Sequence, residues 1–381
     1  MKKISLESLS RAVGLQLSAT ILSVGLAGAV MTPSFARAST PANEFLDFIE
    51  LVDQTTGDFC EPEAVAVTPN GEVVYVAAND FTTGNAELFA INTLTDQIIA
   101  SIILVPGPTI EFAFGVAIDP AGQFAYVTVE GATSTTGEVF QVRIADNSVT
   151  KTLATTTVGP FPLGDAVSPD GKYLWVANAG EPPTFNNGTV SVIELSDGLF
   201  TPVALVPVGG SPNQVVFSPN KGKHVYALNS NTSTGSKGYA SVISAATGNI
   251  TNPAFGSGLV FFPFYSLSVH KKSVFIGNEF NSVLRLNTHG VLQNDYIMFP
   301  SFVVDTELGQ TAVTTDGLFL YVAEPDFSSI GWVDLKTNTP QIFTPIDTGG
   351  FPYYLAINPT DKILYVSDLD FDGIDVILIA H

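Results

Sequence analysis

Cysteine is nearly absent: Cys60 is the only one in 381 residues, alongside two tryptophans and three methionines. One cysteine excludes an internal disulfide, a paired-thiolate metal site and a CxxCH haem attachment, so the apolar core must hold the fold. Asp58, Glu61 and Glu63 surround Cys60 and disfavour a thiolate, so it reads as a small buried apolar residue. Positive charge is scarce too, with 15 Lys and Arg against 36 Asp and Glu and a formal charge of −21. Also missing are a GxSxG elbow, an HExxH helix, a glycine-rich phosphate loop with its lysine, and almost all helical periodicity.

The N-terminus differs from the rest. Lys2, Lys3 and Arg11 precede an uncharged stretch from Leu15 to Met31, followed by Ala36-Arg37-Ala38. This pattern predicts a bacterial secretory signal peptide over residues 1–38, cleaved after Ala38, and a periplasmic or secreted mature protein. Gln16, Ser18, Thr20 and Ser23 interrupt the stretch and it is short for a membrane span, so no integral membrane anchor is expected after cleavage. The leader holds four basic residues and one acid, which leaves 11 Lys and Arg against 35 Asp and Glu, a formal charge of −24. Such a surface repels nucleic acid, polyanions and anionic lipid, and favours neutral or cationic partners. The mature chain, 39–381, is expected to be a monomer.

A repeat fills that chain. An aromatic anchor recurs at Tyr75, Tyr126, Trp175, Tyr226, Phe275, Tyr321 and Tyr365, at spacings of 51, 49, 51, 49, 46 and 44 residues. A few residues before most anchors stands a tight turn, such as Pro69-Asn70-Gly71, Pro120-Ala121-Gly122 or Pro169-Asp170-Gly171. Proline presets one turn angle and glycine accepts the next, so these are hairpin corners. Alternating apolar runs flank each turn, and two further runs complete each unit. Seven units of four strands predict an all-β fold: a seven-bladed β-propeller of four-stranded blades in a single domain. The last unit lacks a fourth strand, and the orphan run Phe45–Val52 is expected to supply it by pairing with Gly373–Ile379.

The unit Gly159-Pro160-Phe161-Pro162, Ser168-Pro169-Asp170-Gly171-Lys172-Tyr173-Leu174-Trp175-Val176-Ala177-Asn178, Gly188-Thr189-Val190-Ser191-Val192-Ile193 resembles the YVTN-type β-propeller repeat of the broad lactonase-like propeller group. The resemblance spans essentially all of residues 45–381. It implies the propeller fold, while the functions it implies range from surface-layer and adhesion-type proteins to a lactone-hydrolysing branch. His270-Lys271-Lys272 departs from the usual turn, and Glu324 and Asp368 stand where Asn ends the motif in repeats three to five.

Propellers bind ligands at the face carrying the loops that lead into each blade and those joining second to third strands. His224 and His270 adjoin the opposite face and His381 ends the chain, so the histidines are read as surface or structural. Glu61, Glu63, Asp165, Asn213 and Tyr353 are expected to reach the mouth from first strands. Asn178, Glu181, Asn229, Asn278, Glu279, Glu324, Asp326, Asp368 and Asp370 are expected to reach it from second-strand ends. Some of these side chains could instead satisfy loop backbone groups. Acid–phenylalanine pairs recur at Asp58-Phe59, Asp80-Phe81, Glu111-Phe112, Glu279-Phe280, Asp326-Phe327 and Asp370-Phe371, each Phe being read as a plug between blades with its acid in solvent.

The acidic, aromatic-rimmed mouth points to a non-catalytic binding scaffold for a protein, a glycan or a small molecule, with no cofactor required. The alternative is a lactonase-like hydrolase in which Glu63, Asp165 or Glu324 is the general base, assisted by a divalent metal. Asp368, Asp370 and Asp372 match the opening of a calcium loop, but Val376 and Ile379 occupy the later ligand positions.

Overall fold

The turn residues take the backbone angles their chemistry allows. Gly71, Gly122, Gly171, Gly222 and Gly317 adopt φ from +61° to +75°, and Lys271 fills the same corner at φ +50° in the departing turn of the fifth repeat. A computed structural model describes residues 43–107, 111–131, 137–154, 158–181, 187–219, 221–230, 237–261, 266–278, 282–289, 291–293, 297–298, 308–336, 341–342 and 345–379. The expected leader, Glu279 and the aromatic residues Phe264, Tyr265 and Phe280 lie outside these, and only the backbone of Asn278 is described.

After an initial strand β1 (Glu44–Glu50), the chain builds blade 1 from β2 (Glu61–Val67), β3 (Val73–Asp80), β4 (Asn85–Asn92) and β5 (Gln97–Val105). Blade 2 is β6 (Phe112–Ile118), β7 (Phe124–Glu130), β8 (Gly137–Arg143) and β9 (Ser148–Ala154). Blade 3 is β10 (Pro162–Val167), β11 (Tyr173–Asn178), β12 (Thr189–Glu194) and β13 (Thr201–Pro207). Blade 4 is β14 (Pro212–Phe217), β15 (His224–Asn229), β16 (Lys237–Ser244) and β17 (Ile250–Phe261). Blade 5 is β18 (Leu267–His270), β19 (Ser273–Asn278), β20 (Ser282–Asn287) and β21 (Ile297–Met298). In blade 6, β22 (Thr311–Val313), β23 (Phe319–Glu324) and β24 (Ser329–Asp334) precede a fourth strand in two pieces, β25 (Gln341–Ile342) and β26 (Ile346–Asp347), both on β24.

Blade 7 has β27 (Pro352–Ile357), β28 (Ile363–Asp368) and β29 (Gly373–Leu378), and β1 is its fourth strand. The pairing is antiparallel, from Glu44 opposite Leu378 to Glu50 opposite Gly373. The two ends of the sequence thus close the ring within one sheet, as expected. Among the described residues no helix is long and apolar enough to cross a membrane.

The core lies between the blades. Seven apolar clusters each draw side chains from two neighbouring blades, and all seven aromatic anchors are at most 2 % exposed. Each anchor faces the following blade: Trp175 packs with Val215 and Val225 of blade 4, and Tyr365 with Val74 and Val76 of blade 1. The turns form a second belt, with Pro69 against Gly122, Pro120 against Gly171, Pro169 against Gly222, and Pro359 back onto Gly71.

Candidate functional site

First strands line the channel, and most carry an irregularity near their mouth end. The register shifts between Pro62 and Ala64, Ala113 and Gly115, Pro162 and Asp165, Pro212 and Gln214, and Pro352 and Leu355. A bulge bends the strand and re-aims its extra residue. The residues so placed include Glu63, Phe114, Asn213 and Tyr353. Three of these, Glu63, Asn213 and Tyr353, were expected at the mouth from sequence.

Around blades 7, 1 and 2 the carboxylates feel one another. Burial and the neighbouring Asp372 and Asp370 push Glu61 above the usual range. Burial, with Glu61 and Glu130 close by, takes Glu63 up to about 8 against a smaller opposing effect of the Asn79 side chain. Burial alone takes Glu130 up to about 7. At neutral pH this group therefore holds protons that an incoming cation can displace. Exposed aromatic rings stand beside it: Phe59, Phe81 and Phe371 are 54 %, 56 % and 49 % exposed. These three correct the expectation that the phenylalanines plug between blades, and the acid of one pair, Asp80, is instead buried. Phe81 lies 5.7 Å from Phe112, which lies 6.0 Å from Phe114, so the rim continues toward blade 2. On the other side of blade 1, Phe351 stacks on Tyr353 at 6.3 Å.

Deeper in the channel is a cavity of about 320 Å³ lined by Asp165, Gln214, Gln310, Phe114 and Tyr354 among others. Asp165 is only partly covered as a residue, yet both its carboxyl oxygens are shut from solvent and lack a hydrogen-bond partner. Burial pushes its carboxyl well above the ordinary range, which favours the neutral form that can donate a hydrogen bond. The opening that admits it is Gly115, where an added Cβ would come within 2.5 Å of the Leu163 carbonyl oxygen and 2.9 Å of Asp165 Oδ1. Gly115→Ala is expected to cost about 2 kcal/mol or more by forcing the two strands apart, read as a lowered melting temperature.

The second-strand ends behave differently. Asn178 donates to Ser191 Oγ at 2.8 Å and Thr189 Oγ1 at 3.1 Å, Asn229 donates to Ser241 Oγ at 3.2 Å, and Ser329 donates to Glu324 Oε2 at 3.2 Å. These three are buried inside their blades and do not line the cavity. Asp368 is buried as well, and its Oδ1 accepts backbone N–H groups from Phe351 at 3.0 Å, Asp370 at 3.0 Å and Phe371 at 3.3 Å. It caps the loop, and the structure does not bring the oxygens of Asp368, Asp370 and Asp372 within 4.8 Å of one another. Glu181 and Asp326 are exposed on loops between second and third strands.

The three carboxylates that do meet within 4.8 Å among the described residues are Asp53, Asp80 and Glu87, at the mouth end of blade 1. Burial takes Glu87 up to about 7. Asp53, though buried, is held below the usual range by hydrogen bonds from Thr55, Thr56 and Glu87. The opposite shifts favour a shared proton resting on Glu87 rather than on Asp53. Burial together with these acids pushes the Cys60 thiol up, which fits the reading of Cys60 as an unreactive core residue. The trio could hold a metal ion, although Thr83, Thr55 and Ser101 already donate to it.

Most described cations sit away from this end, the exception being Lys237, which begins β16 beside the mouth-side loop of blade 4. Arg143, Lys172, Lys221, Lys223, Lys271, Lys272, Lys336 and Lys362 sit in turns or strand ends on the opposite face, while Lys151 and Arg285 are mid-strand.

Comparison with known proteins finds no matching family model and no matching curated protein. Among solved structures, Kuenenia stuttgartiensis hydrazine synthase is similar at a TM-score of 0.69 with 18 % identity, over 86 % of this chain and 98 % of that one. The beta-propeller domain of Myceliophteria thermophila Cps50 (Swd1) is similar at 0.66 with 8 % identity, over 89 % of this chain and all of that one. At such identities the likeness is one of fold, and with seven four-stranded antiparallel blades the chain is a seven-bladed all-β propeller.

Proposed function

We propose that this chain is an exported, non-catalytic binding propeller of the YVTN-type group whose mouth takes a cationic or neutral polar ligand, free or displayed on a protein or glycan. One observation carries the reading: Glu61, Glu63, Glu130, Asp370 and Asp372 crowd together beside exposed aromatic rings, with no lysine or arginine on the described mouth loops of blades 7, 1 and 2. Carboxylates that repel one another gain most from a cation, and a ring face adds further attraction once water is displaced. The rigid ring of inter-blade cores holds this rim without any cofactor.

Because Glu63 and Glu130 are protonated near neutrality, a bound cation must displace their protons. Affinity for tetramethylammonium is therefore expected to rise about tenfold between roughly pH 5 and pH 8 with net proton release. Glu63→Gln is expected to weaken binding at pH 8 and flatten this dependence. Calorimetry in buffers of different ionisation enthalpy reads both, and binding independent of pH and of Glu63 would overturn the reading.

A second reading, the lactonase-like hydrolase implied by the resemblance, draws on the position of Glu63, whose proton affinity near neutrality suits a general base. Turnover on a lactone panel, with and without divalent metals, that disappears in Glu63→Gln would replace the scaffold reading.

A further inference from the structure

The face opposite the mouth holds a feature that the acidic composition conceals. Between blades 4 and 5 lies a groove of about 720 Å³ whose lining includes Lys223, His224, Lys271, Lys272 and His289. Among the described residues that line it there is no Asp or Glu, in a chain with more than twice as many acids as bases. All five side chains are exposed or partly so, and their heads come from two blades, so that no single turn accounts for the concentration of positive charge.

The floor supplies a second, independent observation. The anchor Tyr226 is 1 % exposed, its ring packed 5.4 Å from Phe255 in the core between blades 4 and 5, and it lines the groove. In blade 1 the equivalent hydroxyl of Tyr75 donates to Asn147 Oδ1, and in blade 2 that of Tyr126 accepts from Gln141 Nε2 at 3.3 Å. Tyr226 has no such partner among the described residues. Tyr226 lines the groove, so a ligand oxygen there can accept its hydroxyl hydrogen bond in place of water.

We infer that this groove is an oxyanion site, taking a compact dianionic group such as a phosphate or sulfate ester. The ammonium groups of Lys223 and Lys272 supply charge, with Lys271 beside them donating to the Asp316 carbonyl oxygen of blade 6 at 3.2 Å, and the Tyr226 hydroxyl donates a hydrogen bond from below. The overall negative charge still disfavours a long polyanion. A single compact group escapes most of that repulsion, because at physiological ionic strength charges beyond about 8 Å are largely screened and the described lining carries lysines and no acid. The site is independent of the mouth, on the other side of the ring.

The test is calorimetric titration of the whole chain with inorganic phosphate, inorganic sulfate, glucose 6-phosphate, glucose 6-sulfate and glucose. The anions are expected to bind and glucose is not, and the two sugar esters against the free ions show whether the sugar adds contacts. Replacing both Lys223 and Lys272 with Ala is expected to weaken binding at least tenfold. Tyr226→Phe, which keeps the ring in the core, is expected to weaken it about tenfold, as for a hydrogen bond to a charged group. Lys172→Ala and Lys362→Ala, on blades 3 and 7, are expected to leave affinity unchanged. Absence of heat with every anion overturns the inference, and so does undiminished affinity in the Lys223/Lys272 double variant. Should Tyr226→Phe lower the melting temperature, the lysine variants and their controls decide alone.

Discussion

Removal of residues up to Val52 is expected to lower the melting temperature by about 10 °C or more and to make the ring aggregate. Two effects add. Ile49 and Leu51, 6 % and 0 % exposed, leave the cluster between blades 7 and 1, where each contributes about 2 kcal/mol of apolar burial. The hydrogen-bonding edge of β29, from Gly373 to Leu378, is then uncovered along its length. An apolar strand edge with no partner recruits other chains. Leu51→Ala separates the two effects, because it empties the core position and leaves the edge paired, at an expected cost of 2–5 kcal/mol. Thermal unfolding and light scattering measure both, and a soluble truncated monomer with an unchanged melting temperature would show that β1 does not close the ring.

Thermal stability is expected to fall as the pH is raised from about 4 to about 8. Ordinary carboxylates, stabilised by partners, give the reverse trend. Here burial takes Glu63 and Asp375 up to about 8 and Glu87 and Glu130 up to about 7, and it raises Asp165 well above the usual range. In the unfolded chain these groups lose their protons near pH 4. Each therefore contributes stability that is complete below about pH 4 and is lost as the pH climbs to the folded value. A tenfold change in proton affinity is worth about 1.4 kcal/mol, so Asp375, 1 % exposed, alone contributes on the order of a few kcal/mol across this window. Buried Asp53 and exposed Asp170, each partly desolvated but held low by hydrogen bonds from Thr55 and Ser168 respectively, act at lower pH and do not offset it. Asp375→Asn is expected to raise the melting temperature at pH 8 and to leave it nearly unchanged at pH 4. A flat profile across the window would mean that water reaches these carboxyls.

The ring was legible because its physics repeats. Tyr75 and its six counterparts are the largest buried side chains of their second strands, and a turn with proline or glycine precedes most of them, so spacing predicted the blade number and the leftover run Phe45–Val52 predicted the closure. The mouth was less legible, since side-chain direction there depends on bulges. In blade 2 the strand-end acid is Glu130, four residues after its anchor, and in blade 1 the amide is Asn79, so alignment on the third residue passed over both. The same alignment placed Asn178 and Asn229 at the mouth, whereas their amides turn inward to serines on the third strands. The trio Asp53, Asp80 and Glu87 had no sequence signal, because Asp53 joins it from a loop 27 residues before Asp80.

The closing strand also decides how the molecule can be held. β1 runs antiparallel to β29, so residue 44 lies opposite Leu378 at the turn side of blade 7, and the described chain enters and leaves there. A surface linker or fluorophore joined at residue 43 or 379 will stand behind the ring. Immobilised that way, the protein presents its acidic mouth outward, and sensor measurements of cation binding read an unobstructed face.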